Sequence, residues 1–136
     1  PGDGALIKNL LEMMHQSKAD FTNTFRSLTL EERVDSGLFQ CPELSVWNEK
    51  WQMRLNGQKQ SKSASRELMR SNNPAVIPRN HRVEAALEAA VSKRDYSVMQ
   101  KLVKVLLNPY AYSTEQEQYT DLPEPSACRY QTFCGT

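Results

Sequence analysis

Five stretches of this 136-residue chain place apolar side chains three and four residues apart, and no convincing alternation of apolar and polar residues occurs anywhere. Spacings of i, i+3, i+4 and i+7 collect side chains on one face of an α-helix, whereas a half-buried strand needs a period of two. The pattern therefore predicts an all-α fold. It is a small helical bundle of about five to six helices, with its apolar stripes turned toward one core.

The individual helices can be read in order. Ile7, Leu10, Leu11 and Met14 form a stripe on a first helix over roughly residues 5 to 17. Asp20 is placed to cap a short second helix carrying Phe21, Phe25 and Leu28. Thr29 and Glu32 have the spacing of a capping box for a further turn, which Gly37 would end. Leu44, Trp47, Trp51 and Leu55 define the next helix, stopped at Gly57, and core packing explains the two tryptophans better than a stacking platform. Gln58 to Ser65 is polar and reads as a loop into a short helix, SRELMRS, with NPAVIP extended beyond it.

Asn80 is placed to cap a helix striped by Val83, Ala86, Leu87, Ala90 and Val91. Asp95 is placed to cap its neighbour, which carries Met99, Leu102, Val103 and Leu106 and stops at Asn108-Pro109. These two helices form an antiparallel hairpin. After Tyr110 the helical period disappears. Glu115, Glu117, Asp121 and Glu124 accumulate without a Lys or Arg through Ser126, and Pro123 and Pro125 interrupt. The division is a helical domain over 1–110 and an extended acidic tail over 111–136.

Charge and cysteine usage narrow the function classes. A net charge of +1 points to neither nucleic acid nor an anionic membrane as partner. Cys41, Cys128 and Cys134 are odd in number, no CxxC pair occurs, and no Asn-x-Ser/Thr acceptor is present, as expected of a reducing cytoplasm. No apolar run approaches the roughly 20 residues of a membrane span, so a soluble domain without membrane contact is expected. The opening PGDG reads as the edge of a domain cut from a longer chain.

Candidate chemistry is sparse. His15 and His81 are isolated, and Cys128 to Cys134 lacks structural-zinc spacing, so neither a metal site nor self-contained nucleophilic catalysis is expected. Between positions 50 and 82 stand Lys50, Arg54, Lys59, Lys62, Arg66, Arg70, Arg79 and Arg82 against Glu67 alone, a local formal charge of +7. This is a candidate docking surface, with Lys50, Arg54, Arg66, Arg70, Arg79 and Arg82 as its core. A nucleic-acid face is the sharper alternative, through release of phosphate counterions. A solvated face or a dock for an acidic neighbour fits better, and the tail carboxylates are an internal candidate for that neighbour. A helical protein-interaction module is a further alternative, but no repeat of fixed period is present.

The segments LLEMMHQSKADFTNTFRSL, WNEKWQMRL, NNPAVIPRNHRVEAALEAAVSKRDYS, LLNPY and TFCGT, in that order, resemble the C-terminal region of the selenoprotein O (YdiU) family. NPAVIPRNH and the antepenultimate cysteine are the most specific parts. The resemblance implies a parent enzyme with a protein-kinase-like fold that transfers AMP from ATP to protein hydroxyl groups, using magnesium or manganese. Its nucleotide, metal and catalytic residues would precede Pro1, leaving this part without catalytic, cofactor or metal residues of its own. The partners so implied are the kinase-like region of the same chain and the parent's protein substrates. Cys134 falls where the family has a C-terminal cysteine or selenocysteine proposed to form a reversible disulfide with the kinase-like part, with Cys128 a possible substitute. Gly135 and Thr136 stand here where other members have Ser-Ser.

Overall fold

The computed structural model describes residues 2–31, 38 and 41–124. Seven helices and no strand occur among the described residues: α1 (Asp3–Gln16), α2 (Phe21–Leu30), α3 (Glu43–Asn56), α4 (Lys62–Asn72), α5 (Asn80–Lys93), α6 (Ser97–Leu106) and α7 (Thr114–Glu117). The all-α expectation holds, with six helices of ten residues or more and a single turn in α7.

One apolar core lies where α1 packs on α3. Leu10, Met13 and Met14 of α1 meet Trp47 of α3 and Leu38, with Phe25, Leu28, Leu44 and Trp51 packed at its edge. Trp47 is 6% exposed, and its indole N–H donates to the Leu6 carbonyl at 2.8 Å, which satisfies the polar end of a buried ring. Trp51 stacks on it, with ring centroids 5.5 Å apart. The tryptophans are core, as their spacing predicts. Gly57 ends α3 at the predicted place, with ordinary right-handed geometry.

α2 departs from its predicted stripe. Phe21 is 62% exposed, against Phe25, and the buried face of the helix is polar: Asn23, Thr24, Ser27 and Thr29. Asp20 caps α2 as expected, accepting from the Asn23 amide at 2.8 Å. Thr29 does not start a new turn. It lies in the last turn of α2, its hydroxyl donating to the Phe25 carbonyl and accepting from Asn73, the residue that follows α4. The Glu32 and Gly37 half of that expectation lies outside the described residues.

The polar run before α4 is also more ordered than expected. Only Gln58 to Gln60 form a loop, because Ser61 accepts from the Ala64 amide and starts α4 at Lys62. The helix packs on α2 through one narrow face on which Ser65 is buried, so the rest of its surface is free to be Lys, Ser and Arg.

α5 and α6 pack on each other across a three-residue connection, the expected hairpin. Three details differ. Asn80 is already helical and Arg79 is the cap residue, without a side-chain cap, since a guanidinium has no acceptor to offer a backbone N–H. Asp95 lies one residue before the Tyr96 cap of α6, yet its carboxylate still accepts from the Ser97 amide at 2.9 Å. The stripes are only half buried: Ala86, Ala90, Leu102 and Val105 face inward, while Leu87, Val91 and Val103 are exposed.

Among the described residues of the tail, 111–124, the chain is anchored rather than simply extended. Ser113 and Gln116 form a capping box around α7. Gln116 is 3% exposed and its amide donates to the Val105 and Asn108 carbonyls, closing the C-terminal end of α6. The Tyr112 hydroxyl donates to the Asn73 carbonyl at 2.7 Å.

Candidate functional site

The most enclosed charged group among the described residues is Arg79, which follows Pro78 at the entry to α5. Its side chain is 8% exposed and forks onto the Asp20 carboxylate, with nitrogen to oxygen distances of 2.8 and 3.0 Å. It donates again to the Asn23 side-chain oxygen at 3.1 Å, and the Asn23 amide reaches the Thr120 carbonyl at 2.9 Å. One buried polar node therefore ties α2, α5 and the tail. Burial pushes the Asp20 carboxyl up, but the bonds from Arg79 and the Asn23 amide outweigh it, and the group titrates below its ordinary value.

The other docking candidates also find partners inside the chain. Arg54 holds the exposed Asp3 at 2.7 Å, and Arg66 holds the exposed Glu31 at 2.6 Å. Arg70 lies over the Tyr112 ring, 4.9 Å from its centroid. Arg82 pairs with Asp121 of the tail at 3.3 Å, donates to the Gln118 carbonyl and lies 5.7 Å from the Tyr119 ring centroid. Lys50 lines a cleft with Asp3 and Arg54 and makes no ion pair among the described residues. The basic segment is thus distributed over α3, α4 and α5, and five of its six core members bond to other parts of the chain. Two tail carboxylates are engaged: Asp121 by Arg82, and Glu115 by Lys104 at 3.1 Å.

His81 sits beside Arg82 and Asp121 in a groove of about 1000 Å³ lined by Pro78 and Pro123. Burial, then the neighbouring Arg82 and Arg79, hold its imidazole below the usual histidine range, against a weaker opposing pull from Asp121. Cys41 is half-buried. Its thiol donates to Glu43 at 2.8 Å, and that bond, helped by burial, raises its pKa and keeps it protonated, a poor nucleophile. Cys128 and Cys134 lie outside the described residues.

The described residues do not fit a metal-bound nucleotide. No group of three or more His, Cys, Asp or Glu side chains that could hold a metal ion stands together among them, and Asp20 and Asp121 are each paired with an arginine. What this arrangement does chemically is hold helices and tail in register. The sequence marked Asp20 as a cap and Arg79 as a surface cation. It did not reveal that the two meet, nor that Tyr112 and Gln116 anchor the tail. The only available signal was Arg79 at a rigid extended stretch, directly after Pro78.

Residues 2–107 match the family described as Protein adenylyltransferase SelO, so the chain belongs to the SelO family. Its relatives are nucleotidyltransferases by name. The chain is 58% identical over 134 residues to the protein nucleotidyltransferase YdiU of Halalkalibacterium halodurans, covering 98% of this chain and 27% of that one. It is equally similar to the proteins of that name from Bacillus thuringiensis subsp. konkukian and Clostridium botulinum, covering 28% and 27% of their lengths. The chain thus spans little more than a quarter of the relatives it matches.

Proposed function

We propose that these residues form a non-catalytic accessory and regulatory domain of a cytoplasmic protein adenylyltransferase. The parent enzyme transfers AMP from ATP, with magnesium or manganese, to Ser, Thr or Tyr hydroxyls of proteins. The domain packs on the kinase-like region of the same polypeptide and carries Cys134 on its tail as a redox-responsive thiol. The observation that carries this reading is the match itself: almost all of this chain, but about a quarter of a nucleotidyltransferase. The internal engagement of five of the six candidate docking cations supports it, since these groups serve architecture. In the redox step Cys134 and a partner thiol form a disulfide, and two electrons and two protons pass to a peroxide or a low-molecular-weight disulfide.

The test uses the full-length protein and AMP transfer to a protein acceptor. Removing this domain should reduce transfer or stability, and unchanged values for both would refute the accessory role. Transfer that responds to reductant in the parent and not in Cys134→Ser supports the redox role; identical, reductant-insensitive transfer in both refutes it. The second reading, a nucleic-acid face over residues 50–82, rests on Lys50, Lys59 and Lys62, which make no ion pair among the described residues. A lack of salt-dependent binding to DNA and RNA would remove it.

A further inference from the structure

The hairpin is apolar on more than its core side. Ala86 and Ala90 of α5 and Leu102 and Val105 of α6 are buried, while Leu87 and Val91 are 49% and 80% exposed. On α6 and at its end, Val103 and Leu107 are 49% and 79% exposed. Each exposed pair is spaced i, i+4, so its members are neighbours on one helix surface, and the two helices pack on each other. A surface helix carries one apolar stripe, and a helix with apolar groups well beyond it is a helix that is covered on a second side. Isolated exposed aliphatics are ordinary, but two such pairs on adjoining helices, with two of the four side chains about four-fifths exposed, are the mark of an interface.

What covers them follows from length. Nearly three-quarters of each matched relative lies outside the segment that this chain spans, far more chain than is needed to cover one hairpin. We propose that Leu87, Val91, Val103 and Leu107 are the docking surface for the kinase-like remainder of the same polypeptide, an inference that rests on the accessory-domain reading above. The occupant is an apolar surface of that remainder, and the contact is intramolecular.

In the full-length protein, Val91→Cys and Leu107→Cys would be labelled with a maleimide beside a reference, Gln60→Cys, in the exposed α3 to α4 loop, and rates read by peptide mass. Labelling at 91 and 107 at least tenfold slower than at 60 is expected; equal rates overturn the proposal. Protection that disappears on dilution assigns the face to a second copy and also overturns it. Should either variant misfold, hydroxyl-radical footprinting of the unsubstituted full-length protein decides: Leu87, Val91 and Leu107 should be protected, and oxidation of these side chains at the rate of an exposed leucine sinks the idea. Protection without any effect of domain removal on AMP transfer or stability would leave the surface standing and the accessory role refuted; the reverse pattern would do the opposite.

Discussion

Substituting the two ends of the buried pair, singly and together, tests whether the Asp20–Arg79 node holds the tertiary structure. Asp20→Asn keeps a good helix cap for α2 and removes only the charge, and Arg79→Met keeps most of the aliphatic volume. Removing one partner of a fully buried ion pair costs about 3 to 5 kcal/mol, because the other charge is left uncompensated. Asp20 retains 19% exposure, so each single substitution should cost about 2 to 4 kcal/mol rather than the full amount. The double variant leaves no orphaned charge, and should lose no more than the worse single variant, giving a coupling of about 2 to 3 kcal/mol. In urea, a loss of about 3 kcal/mol with a slope near 2 kcal/mol/M lowers the midpoint by about 1.5 M. Additive losses, with coupling below about 0.5 kcal/mol, would refute the claim that the pair acts as a buried unit.

Thr24 is fully buried and its hydroxyl has no partner among the described residues, so Thr24→Val should leave stability unchanged or raise it by up to about 1 kcal/mol in thermal unfolding; a clear loss would contradict this. Gln116→Ala should cost about 2 kcal/mol and speed amide exchange across residues 112–121, since it frees two carbonyls at the end of α6; unchanged exchange would show that the tail is held otherwise. His81 and Asp20 both titrate lower in the fold than their ordinary values, so the unfolded chain takes up each proton first. Stability should therefore decline as pH falls below about 6.5, and again below about 4. A flat midpoint between pH 8 and 5, or an upper decline that survives in His81→Gln, would remove the histidine from that account.

Much of the fold is legible locally. Asp20 and Gly57 mark helix ends because a cap is satisfied by residues three or four positions away, and the α1 and α3 stripes lie on the buried side because a tryptophan helix has little else to do with its rings. Where a helix makes few apolar contacts the pattern misleads. In α2 the buried side is Asn23, Thr24 and Ser27: the bonds of Asn23 to Arg79 and Thr120 and of Ser27 to the helix's own backbone let a polar face be buried while Phe21 stays exposed. Asn80 has a cap residue's chemistry, yet the helix starts one residue earlier than that chemistry suggests, with Arg79 in the extended cap conformation.

The candidate site divides in the same way. Cation density over residues 50–82 is a property of the sequence, and so is the family, which rests on ordered motifs along the chain. Whether those cations form one surface depends on which carboxylates and rings approach them, across separations of 59 residues for Asp20 and Arg79 and 39 for Arg82 and Asp121. By itself the sequence determined helical class, most helix ends and family membership, because periodicity, caps and motifs are local. Only the tertiary structure decided that Arg79 is buried, that the tail is anchored through Gln116, and that the hairpin is left apolar outside, because each depends on partners the chain brings together only when it folds.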